Sequence, residues 1–437
     1  MWTAPARGWG GEVHASRIAG GLSAIGALTI TEHGLPPHLK PIQIGGLPPG
    51  LSPEQFVEIT QKAAADPAWQ LWLEQRFAPQ AAPYRTSDGQ LVLPLAGANR
   101  HLTRRMLEAF DLYYRALDGG MVDVSPFDPL NIEYARNNLA DSLALRFDLT
   151  SKLADWLEPV FASRTAAEIE AFLVANDVPI TRINSFAEWK QERQAREARI
   201  ITDVIGTGNL QIGIGLRVGQ PVDALPPRAT PVPEPTGVTP SEKPLTGLSM
   251  LDLSNVVAGP NSGCMFAELG VGVAQSVPPE PNHSVTIVVA WNGEPGGGKR
   301  SIILNMRTEE RMKVLRDLAA RSDFVLNNAM DQQMARLRLD PASLHALNPR
   351  AIGLQITALR GERFGPRHNH TGYDPAQQGT TGIMHRFGAP GSPAITVWRR
   401  RWITCAGILA PGPVSQRFTP ARRAMTGPVT RRKPRLR

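Results

Sequence analysis

Residues 244–270 read PLTGLSMLDLSNVVAGPNSGCMFAELG, and the strand-to-helix passage inside them decides the fold. LSMLDL, residues 248–253, is an apolar run of strand length; the loop SNVVAGPNSG follows, and 265–269 reads as helix. The alternation continues downstream. VTIVVAW (285–291) and SIILNM (301–306) read as strands, and Thr308 caps a helix through ERMKVLRDLAA. Met312, Leu315 and Leu318 share one face of that helix. The apolar runs at 324–326 and 352–357 are further strands. Strands alternating with helices predict a parallel α/β sheet. Ligands of such sheets sit beyond the strand carboxyl ends, where Val257 to Pro260, Asn327-Asn328 and the stretch leading to Asp374 fall.

Upstream of this block, residues 220–244 are rich in Pro, Thr and Ala and read as an extended linker with no core of their own. Before the linker the texture is different. An apolar, Gly-rich run and a Pro/Gly loop fill residues 10–50, and its apolar part is compatible with a buried helix. Ser52, Pro53 and Gln55 spell a capping box, starting a helix expected to reach about Phe77. YRTSDGQLVLPLAG (84–97) predicts a hairpin turning at Asp88-Gly89. Residues 101–116 and 135–176 have helical spacing, and 203–218 carry short β-type pieces.

The net charge of +8 suggests a nucleic-acid partner until it is located. Residues 394–437 hold 11 Lys and Arg and no acid, so the remaining body carries −3. No nucleic-acid partner is expected of that body. No run approaches the ~18 apolar residues of a membrane span, so no membrane partner is expected either. The start lacks the pattern of a signal peptide, and Cys264 and Cys405 lie far apart without metal-ligand spacing. A reducing, cytoplasmic setting fits both observations.

In TGYDP (371–375), Asp374 sits at a sharp turn, where a carboxylate is presented rather than buried. A general base, a metal ligand or a nucleophile forming an acyl anhydride are all open to it, and turn capping is the commoner use. His368 and His370 read as solvated loop residues, and no metal site is expected. GEPGGGKR (293–300) nearly spells a phosphate loop, but Arg300 replaces the Mg-binding hydroxyl and a strand follows. Cys264 reads as core.

Four segments carry a family resemblance. Residues 244–270 resemble the opening of the family III CoA-transferases, the CaiB/BaiF-like group that includes formyl-CoA, carnitine-CoA and bile-acid CoA transferases. GKRSIILNMRTEE, DFVLNNAMDQQMARLRLDPASLHALNPRAI and GPRHNHTGYDPAQQGTTG resemble later family segments, in family order across 244–388. The first half is similar to the family's other end: APYRTSDGQLVLPL to the start of its small domain, and 148–189 to a later part. This order implies the middle of a tandem two-copy protein, truncated at both ends. Residues 1–218 are then the back portion of a first copy, with its small domain at about 60–190, and 219–244 the linker. Residues 245–393 are the front of a second copy, and 394–437 an off-frame or disordered tail, with a functional basic arm as the rival reading.

The resemblance implies a Rossmann-like parallel-sheet domain plus a small α+β domain, both incomplete. It implies CoA transfer between an acyl-CoA and a carboxylic acid through an anhydride and then an aspartyl-CoA thioester on Asp374. A non-catalytic remnant and an acyl-CoA racemase are the alternatives, and Tyr373 tilts the choice toward transferase. Coenzyme A enters as substrate, with no permanent cofactor, and its contacts carry over to Ala258, Gly259, Lys299, Arg300, Asn328 and Arg336. Gln275-Ser276-Val277-Pro278-Pro279, Ala329-Met330 and the Glu294-Pro295-Gly296-Gly297 insertion depart from the family pattern. Family members pair as interlocked chains, so a homodimer or pairing with a second family copy is expected.

Overall fold

The computed structural model describes residues 34–39, 47–204, 206–213, 215, 243–290, 296–388, 391, 393 and 394. The apolar run before Gly34, the bulk of the Pro-rich linker, Glu294-Pro295 and the basic tail lie outside the described residues.

The second half is built on five parallel strands in the order β10-β9-β6-β7-β8. These are β6 (Ser249–Asp252), β7 (Gly272–Val277), β8 (Arg300–Ile303), β9 (Phe324–Asn327) and β10 (Ile352–Gln355). Alternate residues pack on opposite faces, as the two-residue period requires. Met250, Phe324 and Leu326 join Phe266 and Val273 on one face, and Leu251 and Val325 join Leu315 and Met334 on the other. Both faces are covered, as parallel sheets need.

The first half has its own core. β1 (Tyr84–Arg85), β2 (Leu91–Pro94) and β3 (Ile180–Arg182) form an antiparallel sheet. Tyr84, Val92 and Ile180 pack against Leu153, Phe161, Ile169 and Leu173. The opposite face of this small sheet meets the second half. Leu91, Leu93, Leu95 and Ile183 cluster with Ala376 and Met384. The seam between the halves therefore runs directly beneath the helix that begins at Asp374.

Several expectations are revised. The helix expected over 53–77 is two, α1 (Pro53–Ala65) and α2 (Pro67–Phe77), because Asp66 leaves the helical region, Pro67 follows, and Asp66 caps the second. The stretch 101–116 divides into α3 (Arg100–Ala109) and α4 (Tyr113–Asp118), with Asp111 at φ 58 between them. The stretch 135–176 resolves into 3-10 turns, α5 (Phe147–Ala162) and α6 (Ala166–Ala175). Helices α7 (Phe186–Gln191) and α8 (Arg193–Glu197) precede a short hairpin, β4 (Ile201–Asp203) and β5 (Leu210–Ile212).

The helix after β6, α9 (Ala258–Glu268), starts seven residues earlier than expected and absorbs Gly259 and Pro260. Pro260 costs little there, since first-turn amides have no intrahelical partner. VTIVVA forms a helix, α10 (Val285–Ala290), despite its β-branched composition. Parallel neighbours β7 and β8 require a crossover between them, and these residues are its helix. Helices α11 (Glu309–Arg321), α12 (Asp331–Leu337), α13 (Pro341–Leu347), α14 (Asp374–Thr380) and α15 (Ile383–Phe387) complete the described chain. Among the described residues no helix is long and apolar enough to cross a membrane.

Candidate active site

The loops leaving β6, β9 and β10 at their carboxyl ends are tied to one another. Asn328 accepts the Asn255 amide on Oδ1 (3.1 Å) and donates from Nδ2 to the Asn255 carbonyl (2.8 Å). That reciprocal pair holds Val256 at φ 65, a left-handed conformation that costs a β-branched residue about 1–3 kcal/mol. Gln355 donates to the Ala329 carbonyl and to Asp331 (3.0 and 3.1 Å), and Arg360 pairs with Asp331. Thr371 reaches the Met330 sulfur at 3.5 Å.

Asp374 heads α14 at the end of the loop from β10, with extended Tyr373 before it and Pro375 in the first turn. Gln378, fully buried one turn on, donates to Asp374 Oδ2 at 2.6 Å. Gly372 is needed for the approach: a Cβ there would lie 2.5 Å from the Ala358 Cβ. Below, the Asn184 amide donates to the Gly379 carbonyl (3.0 Å) and its side chain to the Thr380 carbonyl (3.3 Å). Burial pushes the Tyr373 phenol up, so it stays protonated.

The other expected residues are placed unevenly. Ala258 is the first residue of α9, half-buried. Gly259 is buried, and a Cβ on it would collide with Ser254 Cβ and Oγ, so its missing side chain makes room for the chain's own loop. Lys299 was expected to pair with phosphate; instead its Nζ lies 3.1 Å from Asp252 Oδ2 and 3.0 Å from the Pro260 carbonyl, with its side chain 2% exposed. The GGGK run leads into β8 rather than a helix, which removes the phosphate-loop reading. Arg300, at the start of β8, and Arg336, in the last turn of α12, are exposed. His368 bonds the Gly365 carbonyl through Nδ1 at 2.8 Å. Burial, with Arg367 beside it, holds His370 below the ordinary imidazole value.

Residues 245–415 match CoA-transferase family III. This segment belongs to that family. The match runs past Pro393 into the basic tail. The chain is 26% identical over 355 residues to the CoA-transferase/lyase DddD of a Marinomonas species, covering 74% of this chain and 42% of that protein. It is 32% identical over 161 residues to the succinate–glutarate CoA-transferase of Agrobacterium fabrum, covering 34% of this chain and 40% of that protein. A CAIB/BAIF family protein from Brucella suis, a solved structure, is 28% identical over 38% of this chain and 50% of its own, with a TM-score of 0.32. The chain spans less than half the length of these two curated relatives.

Sequence reasoning had no view of the seam. Asn99 lies 184 residues from His283 and Gln194 165 from Leu359, yet both pairs are in contact. Only the fold brings them together.

Proposed function

We propose that this chain transfers coenzyme A between an acyl-CoA and a carboxylic acid, with Asp374 as nucleophile. The observation that carries the reading is the setting of Asp374: half-buried, at the head of α14, beyond the carboxyl ends of a parallel sheet, with Oδ2 bonded to Gln378. The Gln378 amide donor orients that carboxylate oxygen.

In the first step a carboxylate oxygen of Asp374 attacks the thioester carbonyl, the C–S bond breaks, and a mixed anhydride and CoA thiolate result. The thiolate attacks the aspartyl carbonyl and expels the donor acid. The acceptor carboxylate then attacks the aspartyl-CoA thioester, and the returning thiolate collects the new acyl group. Every intermediate keeps the acyl activation, so no hydrolysis is needed. Arg300 and Arg336 are exposed cations we assign to CoA phosphates, although the Arg300 guanidinium lies beside Gly272 at the amino end of β7. Gly259, Lys299 and Asn328 act indirectly, holding the passage from β6 to α9 through Ser254, Asp252 and Asn255.

The two halves are proposed to be the back of one family copy and the front of a second. The alignment to the Marinomonas relative supports this, being much longer than the family segment alone. Substitution Asp374→Asn should abolish acyl exchange between acyl-CoA and free acid. Turnover unchanged in that variant would refute the assignment, and solvent deuterium appearing at the substrate α-carbon would indicate a racemase.

A further inference from the structure

The segment between β7 and α10 crosses the seam. The Arg100 amide donates to the Asn282 carbonyl and the Ser284 amide to the Ala98 carbonyl, both at 2.9 Å, bracketing an antiparallel bridge between Asn99 and His283. On its other side the His283 ring meets Tyr373 edge to face, with 6.4 Å between centroids. A half-buried imidazole thus stands between the cap of α3 and the residue before Asp374.

Its tautomer is set from the first half. Asn99 is the N-cap of α3, and its Oδ1 accepts the Leu102 amide at 3.1 Å. That bond fixes which way the Asn99 amide points, so Nδ2 is the atom 3.4 Å from His283 Nε2. An amide NH2 only donates, so Nε2 is the unprotonated nitrogen and the ring proton sits on Nδ1. A second proton would set N–H against N–H. Burial alone pushes His283 down to about 4. The ionisable groups around it are Tyr373, Asp141 (facing the adjacent Ser284), and Arg100 with its partners Asp123 and Glu280.

We infer that His283 is a positioning residue, an imidazole protonated on Nδ1 and held by Asn99, which fixes the Tyr373 ring and so the start of the helix presenting Asp374. This rests on the proposed role of Asp374 for its kinetic consequence, though not for its geometry.

Substitution Asn99→Asp separates the geometric and kinetic consequences. The carboxylate keeps the cap bond to Leu102 but offers His283 an acceptor in place of a donor. Imidazole NMR of the wild-type chain should show one histidine neutral, protonated on Nδ1, down to about pH 5. In Asn99→Asp that histidine should titrate near or above pH 7. Acylation of Asp374 should then fall about tenfold from pH 8 to pH 6, with KM for acyl-CoA unchanged. Adding His283→Phe should flatten that profile again, which a purely capping role for Asn99 would not allow. His283→Ala should also alter the Tyr373 ring resonances, whether or not Asp374 is acylated. A wild-type His283 protonated on Nε2, or titrating near pH 6.5, would overturn the inference. So would Tyr373 signals unmoved in His283→Ala. Absence of acylation in the wild-type chain, with the NMR results as expected, would count against the nucleophile and leave the brace standing.

Discussion

Lys299 Nζ and Asp252 Oδ2 lie 3.1 Å apart beneath α9, with side chains 2% and 0% exposed. The Ser254 hydroxyl also bonds Asp252, and a Cβ on Gly263 would lie 2.5 Å from Asp252 Oδ2. The pair is therefore built into the strand-to-helix passage that defines this half. Lys299→Met should cost about 3–5 kcal/mol, because it strands a buried carboxylate. The double variant with Asp252→Asn should recover part of that loss. Urea denaturation of the three variants measures it, and a Lys299→Met protein of wild-type stability would mean that the lysine is not structural.

Gly259 gives a test in which helix propensity and packing disagree in sign. In the first turn of α9, alanine is favoured over glycine by up to about 1 kcal/mol. The collision with Ser254 should outweigh this, so Gly259→Ala should destabilise by about 1–3 kcal/mol. Ser254→Gly removes the Cβ and Oγ involved and should rescue much of the loss. Additive effects in a double-mutant cycle would show that the two residues do not meet.

Asp141 faces Ser284 and Val285 across the seam, and burial raises its carboxyl from 3.8 to about 6. Because the folded pKa is the higher one, the folded chain binds more protons between about pH 4 and 6, and stability from this group rises as pH falls through that window. Relative to Asp141→Asn, the wild-type chain should gain roughly 2 kcal/mol on going from pH 8 to pH 4. His283, depressed from 6.5 to about 4, acts in the opposite direction: its contribution is present above pH 6.5 and lost as pH falls through 4. It is common to both proteins and cancels. A constant difference between them across this range would place Asp141 in water.

Features written in neighbouring residues were legible in the sequence. The Ser52–Gln55 capping box, the Asp88-Gly89 turn, the strands at 249–252, 324–327 and 352–355, and the helix after Thr308 stand as expected. The break at Asp66-Pro67 was also local, repeating the cap-then-proline signal of Ser52-Pro53, but helical composition on both sides concealed it. VTIVVA misled because β-branched composition cannot reveal that β7 already has both its neighbours. Lys299 could be named from the sequence but not its partner, 47 residues away. The buried amide of Gln194, bonded to the Leu359 carbonyl (2.5 Å) and the Arg367 amide (2.6 Å), belongs to a seam that no local pattern encodes.

The central claim is covalent chemistry at Asp374, and peptide mapping after brief exposure to isotopically labelled acyl-CoA tests it most directly. Trapping with hydroxylamine should convert the side chain of Asp374 to a hydroxamate, with up to one modification per chain and none in Asp374→Asn. A chain that binds acyl-CoA yet yields no hydroxamate at Asp374, or yields it at another carboxylate, would contradict the account.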